Sequence, residues 1–416
     1  MISSSLDITK TPARRVYDIV FSFEFLLVLF LFAGRLKANP RLAWIPIDLT
    51  AALLVASVVV AGFVLYQSSF SLPRRGLSLT VAAGLFVGWV LVSLNWTPSV
   101  NYARDKSLSL VVLAFWPLVA CALIIAPSPT RVKKFIDSIL IFGVAMSLDL
   151  VVLALRVGPS RVMLEVGSEY LGVGRIVGLA APVLFLLASL QKNKISRLFL
   201  FGCFVSTLTA VILSGGRGPA VGMLASMAVP FLFVGLRGGR AGGLHRYIRM
   251  FAVMVVLVTA VVVLMVGSGL KPATIQRAEQ TFTTDSGGHS TAERFRYYSE
   301  ALDAWKTDPV IGRGVGSFPV LFGRADEAFY PHNIFLEILV ENGMIGVLLF
   351  VVLIVTAMRL MGFKPGQTDV VRMILLMMFV NAFMNAQVTA DLPDNRLLFA
   401  LLGLMAFNPG PYGESL

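Results

Sequence analysis

Long runs of apolar residues, separated by short polar connections, dominate the pattern of this chain. Most runs approach the ~20 residues that an α-helix needs to cross the ~30 Å hydrocarbon core of a bilayer. Lipid offers the backbone no hydrogen-bond partners, so each run must be helical. The pattern predicts an all-α integral membrane protein with about 12 transmembrane helices, near residues 17–34, 46–66, 78–95, 107–126, 135–155, 173–190, 198–214, 219–236, 250–267, 333–358, 372–388 and 396–408.

One long polar segment, at about 268–331, interrupts the series. Within it, Ser290 followed by Glu293 is typical of a helix start. The apolar residues after it recur at helical spacing and predict an amphipathic helix with its apolar face on another surface. These residues are Phe295, Tyr298, Leu302 and Trp305.

The chain is therefore divided into three parts. Residues 1–267 hold transmembrane helices 1–9, residues 268–331 form a large loop with its amphipathic helix, and residues 332–416 hold helices 10–12. Basic residues are more frequent in alternate connections, and the positive-inside rule then puts both termini in the cytoplasm. With this orientation, the large loop is on the outer, periplasmic side.

Composition supports a membrane protein and excludes several other classes. Only 14% of residues are charged, compared with about 25% in soluble domains. The net charge of +12 follows mostly from the positive-inside pattern, so no nucleic-acid partner is predicted. Cys121 and Cys203 lie in apolar runs and indicate buried packing residues. No spacing of cysteines, histidines or carboxylates indicates a metal site.

The most informative polar group follows the large loop, in the string PHNIFLEILVENGMIG at 331–346. His332 stands where the chain returns to the membrane, and Asn333, Glu337 and Glu341 follow at intervals of four residues, on one helix face. Carboxylates in an apolar helix are costly and are usually paired or functional. An interfacial histidine can act as a base near neutral pH. The alternative is a cap residue that only donates a hydrogen bond.

Three arginines on the predicted outer side are the other candidates. Arg217 lies in a glycine-rich break between two runs, where backbone N–H groups at a helix start favour anions. Arg175 lies at or just inside a run, where an arginine is expensive unless it faces a polar cavity. Arg294 lies on the loop helix. The alternatives are a tight turn for Arg217, snorkelling to the interface for Arg175 and a solvated helix face for Arg294.

These strings resemble the O-antigen ligase and O-antigen polymerase superfamily. PHNIFLEILVENGMIG is similar to the family's His-Asn segment with its following glutamate, and LSGGRG to its Gly-Arg-Gly turn, although Gly216 stands where a serine often precedes the arginine. RFRYYSEALDAWKTDPVIGRGVGSF is similar to its loop signature, Pro-x-x-Gly-x-Gly-x-x-x-Phe after an aromatic-rich helix. The motifs cover about 213–346.

The resemblance implies a metal-independent, GT-C-like glycosyltransferase without a cofactor, in the bacterial inner membrane with its active site facing the periplasm. The donor would be a glycan on undecaprenyl pyrophosphate, and the acceptor a sugar of lipid A-core or another glycan. Arg175, Arg217 and Arg294 would bind the pyrophosphate and its first sugar. His332 would be the catalytic base, with Asn333, Glu337 and Glu341 as supporting residues, one of the carboxylates orienting the histidine.

Several functions stay open at this point. A ligase joins a finished glycan to lipid A-core, whereas an O-antigen or exopolysaccharide polymerase joins repeat units, and a single histidine with a mid-sized loop favours the ligase slightly. A polysaccharide transporter or flippase is less well supported, because the polar breaks have no counterpart in the first half of the chain. A non-catalytic assembly scaffold would leave His332 and the outer arginines without a purpose.

Overall fold

The computed structural model describes residues 12–37, 42, 44–68, 72–158, 162, 170–235, 242–267, 289–362, 369–389 and 391–408. The chain forms two compact units, and each combines segments that are distant in sequence. Unit 1 comprises Met1–Ser138, Ser290–Phe363 and Ala386–Leu416, and unit 2 comprises Ile139–His289 and Lys364–Asn385. The three-part division of the sequence concerns membrane topology and stays a prediction.

All regular structure in the described residues is helical. The helices are α1 (Pro12–Val20), α2 (Phe23–Leu31), α3 (Ala33–Lys37), α4 (Leu49–Gln67), α5 (Arg74–Val92), α6 (Asn101–Ile125), α7 (Pro129–Val157), α8 (Tyr170–Leu190), α9 (Lys194–Ser214), α10 (Arg217–Gly235), α11 (Gly242–Gly267), α12 (His289–Thr307), α13 (Phe318–Leu321), α14 (Ile334–Met361), α15 (Val370–Ala386) and α16 (Arg396–Leu404). Helix α6 contains two π-helical stretches, Leu110–Phe115 and Cys121–Ile125.

Seven stretches of the described chain are long and apolar enough to cross a membrane, and this confirms a multi-pass membrane protein. They are Leu49–Gln67, Arg74–Asn95, Asn101–Ile125, Pro129–Val157, Gly172–Leu190, Lys194–Ser214 and Ile334–Met361. The other five apolar runs also contain helices. A total of 12 spans and a periplasmic position for the loop stay predictions.

Two of the predicted spans are not single long helices. The run at 17–34 is divided among α1, α2 and α3, because the Ser22 side chain accepts a hydrogen bond from the Phe25 N–H and starts α2 as a separate helix. In the run at 396–408, only nine residues are helical. A helix of that length rises about 14 Å, less than half the thickness of the hydrocarbon core.

Helix α8 is the centre of unit 2, where it packs against α9, α10 and α11. Its most apolar stretch is 83% buried inside the protein, whereas that of α4 in unit 1 is 11% buried. Small residues allow the close packing: Gly143 of α7 meets Ala180 of α8, and Gly178 of α8 meets Pro219 of α10. Glycine at such contacts is typical of helix pairs in membranes.

Helix α14 of unit 1 is interrupted in the middle. Gly343 has φ 63° and ψ −165°, a conformation outside the helical region and accessible essentially to glycine alone. The interruption frees backbone groups inside a span, where each unsatisfied group costs several kcal/mol. A partner for these groups is therefore required.

The segment that follows α12 supplies those partners. The N–H groups of Arg313 and Gly314 donate to the carbonyl oxygens of Val340 and Glu341 at 2.8 Å each, and the Met344 N–H donates to the Pro309 carbonyl at 3.0 Å. Gly312 lies so close that a Cβ there would come 2.5 Å from the Gly343 nitrogen. The glycine-rich segment thus completes the hydrogen bonding of a broken helix.

Helix α12 is confirmed, but its predicted buried face is wrong. Phe295 is 67% exposed and Leu302 39% exposed. The buried side chains are instead Tyr297 and Ala301, which form an apolar cluster with Phe318 and Val340; Trp305 packs against this cluster. The predicted residues and the buried residues of α12 both recur at helical spacing. The small side chain of Ala301 contributes little hydrophobicity, so the sequence pattern favoured the other set.

Candidate functional site

The turn between α9 and α10 carries Arg217. Gly215 ends α9 in the left-handed conformation with φ 69°, and Arg217 is the first residue of α10. The predicted glycine-rich break between two helices is therefore present. A helix start presents backbone N–H groups without intrahelical partners, so an arginine at this position lies where an anion is already favoured.

Arg175 lies on α8 of unit 2, and this part of α8 packs against the turn. Its neighbour Gly174 packs against Ser214 and Pro219, which flank Arg217 on both sides: a Cβ at Gly174 would come 3.0 Å from the Ser214 Oγ and 2.9 Å from the Pro219 ring. The Arg175 and Arg217 side chains are both half-buried. The structure thus brings these two predicted arginines to one junction of α8 with the α9–α10 turn.

His332 lies in unit 1, directly before α14. It has φ 59° and is the non-glycine residue with a positive φ in the described chain. Its ring contacts Tyr330, with centroids 4.7 Å apart in an edge-on arrangement, and lies 6.3 Å from the Tyr297 ring of α12. Aromatic side chains from the loop and its helix therefore enclose the imidazole.

This environment keeps the imidazole neutral. Burial, together with the smaller effect of the positive charge of Arg294, lowers the pKa of His332 to about 4, against an opposing effect of Glu293. A neutral imidazole at pH 7 has a free lone pair and can accept a proton. The structure thus brings Arg294 and His332, two of the predicted site residues, into electrostatic contact in unit 1.

Asn333 starts α14 and ties it to a neighbouring segment. Its side-chain oxygen accepts hydrogen bonds from the Phe335 and Leu336 N–H groups, at 3.0 and 3.1 Å. Its amide nitrogen donates to the Gln387 carbonyl at 3.2 Å, and the Tyr298 hydroxyl of α12 donates to the same oxygen at 3.4 Å. Asn333 therefore caps α14 and ties the start of this helix to Gln387.

The Glu337 and Glu341 side chains form ion pairs with a buried lysine. The Lys106 Nζ lies 2.6 Å from the Glu337 Oε1, 2.7 Å from the Glu341 Oε1 and 3.0 Å from the Asp391 Oδ1. The Tyr102 hydroxyl donates to the other Asp391 oxygen at 2.6 Å. We call Lys106, Glu337, Glu341 and Asp391 the buried ion cluster. The resemblance implied that one of the two carboxylates orients His332. In the structure, both glutamates instead form ion pairs with Lys106.

Lys106 and Asp391 are not among the residues predicted from the sequence. Lys106 lies between two predicted membrane spans in sequence, but the structure places it inside α6 with its side chain 1% exposed. Two glutamates in an apolar helix require a cation, and Lys106 directly precedes the apolar run at 107–126. This requirement is the signal that could have identified Lys106. Asp391 lies in the short polar connection between α15 and α16, and the sequence carries no comparable signal for it.

Asp326, a loop carboxylate, has a structural role. It accepts hydrogen bonds from the Ser99 hydroxyl at 2.5 Å and from the Val100 and Asn101 N–H groups at 2.8 Å each, and so caps the start of α6. The slight burial of this carboxylate raises the pKa of Asp326. The hydrogen bonds outweigh that effect and lower the pKa to about 2. Within the described residues, no group of three or more histidine, cysteine or acidic side chains is placed to hold a metal ion.

Residues 201–351 match the family model for O-antigen ligase. This match supports the resemblance to the O-antigen ligase and polymerase superfamily over that segment. Among curated proteins, the search found no match. The matched segment contains Arg217, Arg294 and the whole His332–Glu341 stretch. Arg175, Lys106 and Asp391 lie outside it.

In chemical terms, the predicted site residues offer two kinds of group. Arg175 and Arg217 in unit 2 supply permanent positive charge beside a helix start, which suits phosphate oxygens. His332 in unit 1 supplies a neutral imidazole next to a third arginine. The match to the O-antigen ligase family supports an activity of the ligase or polymerase class.

Proposed function

We propose that this chain is an O-antigen ligase. It transfers a glycan from undecaprenyl pyrophosphate to a sugar hydroxyl of lipid A-core, at the periplasmic face of the bacterial inner membrane. The observation that carries the proposal is the neutral, enclosed His332 beside Arg294 at the start of α14, within the segment that matches the O-antigen ligase family.

The reaction needs a base and a stabilised leaving group. The oxygen of the acceptor hydroxyl attacks the anomeric carbon of the donor glycan, and a new glycosidic C–O bond forms. The C–O bond to the pyrophosphate breaks, and its electron pair leaves with the lipid pyrophosphate. The hydroxyl proton passes to the imidazole of His332, which is neutral at pH 7 and therefore available as a general base.

The arginines serve the leaving group. Negative charge accumulates on the pyrophosphate as the bond breaks, and fixed cations that meet this charge lower the barrier. Arg175 and Arg217 bind the pyrophosphate, and Arg294 binds the first sugar and its phosphate. A planar guanidinium pairs with two phosphate oxygens at once and stays charged at all relevant pH values.

The supporting residues act through position. Asn333 caps α14 and holds the residue before it, so it fixes His332 relative to the Gln387 carbonyl. Glu337 and Glu341 hold the first part of the same helix in place through their ion pairs in the buried ion cluster. None of these three side chains needs to touch the substrate.

A strain that lacks the gene tests the proposal through its surface glycans, resolved by gel. We expect lipid A-core without O-chain, while long glycans accumulate on the carrier lipid. Wild-type protein restores the O-chains, whereas His332→Ala does not. Lys37→Met is the matched control: it removes one charge from an exposed ion pair and should restore them fully.

Other glycan profiles would contradict the ligase. Lipid A-core with single repeat units would identify a polymerase, which the superfamily match also allows. Unchanged lipopolysaccharide with loss of a secreted polysaccharide would identify an exopolysaccharide polymerase. An unchanged glycan profile would contradict a function in glycan transfer and favour a transporter of another substrate or a scaffold. Full complementation by His332→Ala would exclude His332 as the base.

A further inference from the structure

We propose that Lys106 is a positioning residue for the transfer reaction. Through its ion pairs with Glu337, Glu341 and Asp391, it fixes the first half of α14 and so the location of His332 and Asn333 at its start. The inference rests on the proposed function of His332. It adds a residue from α6, outside the segment that matches the family.

The buried ion cluster joins three stretches of chain that are far apart in sequence. Lys106 comes from α6, the two glutamates from α14 and Asp391 from the connection between α15 and α16. All three ion-pair distances are 3.0 Å or shorter, and the Lys106, Glu337 and Glu341 side chains are at most 1% exposed. The ammonium group of Lys106 therefore holds all three stretches close together.

Stability alone does not account for such a cluster. Charges taken out of water lose hydration energy, and apolar replacements of a buried ion pair are often as stable or more stable. Three carboxylates around one ammonium group are a particularly costly arrangement. Ion pairs do impose a specific distance and direction that apolar contacts do not. This property suits a segment that must hold a reacting group in place.

The interruption of α14 makes a separate anchor necessary. Gly343 leaves the helical conformation, so residues 334–342 are not held in line by a continuous helix. The segment from Pro309 to Gly314 satisfies the backbone at the break. Glu337 and Glu341 lie between this break and His332, and their pairing with Lys106 anchors the half-helix by its side chains.

A second set of contacts carries the anchoring to His332. The Glu337 Oε1 also accepts a hydrogen bond from the Leu392 N–H at 2.9 Å. At the other end of the same connection, the Gln387 carbonyl accepts the amide of Asn333 at 3.2 Å. Residues 387–392 are thus attached to α14 at Asn333 and again one helical turn later. His332 directly precedes the first of these attachments.

The test compares Lys106→Met with Lys37→Met in the purified full-length protein, using a lipid-linked glycan donor and lipid A-core acceptor. Methionine has nearly the length of lysine without its charge, and Lys37 forms the exposed pair with Asp48. We expect Lys106→Met to lower turnover per folded molecule about tenfold or more, with donor affinity within about twofold of wild type. Lys37→Met should change neither quantity.

Hydrogen–deuterium exchange supplies a readout that does not depend on activity. We expect Lys106→Met to speed amide exchange in the peptide covering 333–342, by about tenfold, without a change in α8. Normal exchange in 333–342 together with normal turnover would overturn the positioning role. Faster exchange there in a protein whose wild type transfers no glycan would contradict the proposed function but support the anchoring.

Glu341→Gln keeps the experiment decisive if Lys106→Met does not fold. It retains the side-chain length and leaves Lys106 paired with Glu337 and Asp391. We expect a folded protein with faster exchange in 333–342 and reduced turnover, in the same direction as Lys106→Met but smaller. Wild-type exchange and turnover in Glu341→Gln would count against the inference.

Discussion

Two helices begin two residues after a residue in the left-handed conformation, and the two starts differ in which residue adopts that conformation. Before α10 it is Gly215, with φ 69°, and the charged Arg217 follows in the helical region. Before α14 it is His332 itself, with φ 59°. Left-handed backbone is free of steric cost for glycine and costs other residues about 1 kcal/mol or more.

The difference teaches where function overrides backbone preference. At α10, a glycine makes the turn and the arginine is free to adopt an ordinary conformation. At α14, the residue in the strained position carries the imidazole that the proposed reaction needs. Strain of this kind persists where the surroundings hold it, and it is concentrated at functional sites. Five predictions test this comparison, beginning with the largest expected effect.

Arg217→Lys should remain folded and lose about 100-fold in turnover. Lysine keeps the charge at the start of α10 but loses the two-pronged contact with phosphate oxygens. The measurement is glycan transfer by purified protein. Arg156→Lys, at an exposed position near the end of α7, is the matched control and should behave as wild type. Full activity of Arg217→Lys would contradict paired binding of the pyrophosphate.

The acidic limb of the pH profile reports on His332. Its pKa of about 4 in the folded protein lies below the ordinary value of about 6.5, so the base form persists well below pH 6. We expect kcat/KM to fall only as the pH approaches 4. Folding stability should begin to decrease at higher pH, as the pH falls from 6.5 towards 4, because the unfolded chain takes up the proton first.

Arg294→Gln should shift this limb to higher pH. Removal of a positive charge raises the pKa of His332, although burial, the larger cause, still holds it below 6.5. Arg296→Gln removes an exposed arginine that pairs with Glu300 and should leave the limb in place. Identical profiles for the two variants would show that Arg294 does not act on the imidazole.

At both left-handed positions, glycine should be more stable than alanine. Gly215→Ala should lower the free energy of unfolding by about 1 kcal/mol. At the other start, His332→Gly should be more stable than His332→Ala by a similar amount, since both lack the imidazole and only alanine is strained there. Thermal unfolding in detergent measures both. Equal stability of the two 332 variants would show that the backbone there relaxes.

Treatment with EDTA is the smallest perturbation. The superfamily resemblance implies a metal-independent reaction, and the proposed leaving-group stabilisation comes from Arg175, Arg217 and Arg294. We therefore expect transfer activity after exhaustive EDTA treatment to match that of untreated protein. Loss of activity that magnesium restores would assign the leaving-group role to a metal instead.

The sequence predicted those features that depend on local pattern. Seven apolar runs became helices of membrane-spanning length, and α12 and the glycine-rich turn before Arg217 lie where expected. Each of these follows from residues adjacent in the chain. The same local information identified His332 and Asn333 as the residues at a helix start.

Features that depend on distant partners could not be predicted. Gly343 is one glycine in an apolar run, and only the docking of residues 309–314 makes its non-helical conformation favourable. Lys106 reads as the end of a polar connection until α14 supplies its carboxylates. The buried face of α12 is set by Phe318 and Val340, which lie beyond the helix itself.

The interruption of α14 has a consequence for the exchange of segments between relatives. The backbone of the loop after α12 completes a membrane helix, and the Thr97 hydroxyl of the α5–α6 connection donates to the Val315 carbonyl at 2.7 Å. In a chimaera that replaces residues 289–331 alone, the carbonyls of Val340 and Glu341 would keep their hydrogen bonds only if the new loop brought its N–H groups to the same positions. A functional graft must carry the loop, the middle of α14 and the α5–α6 connection together.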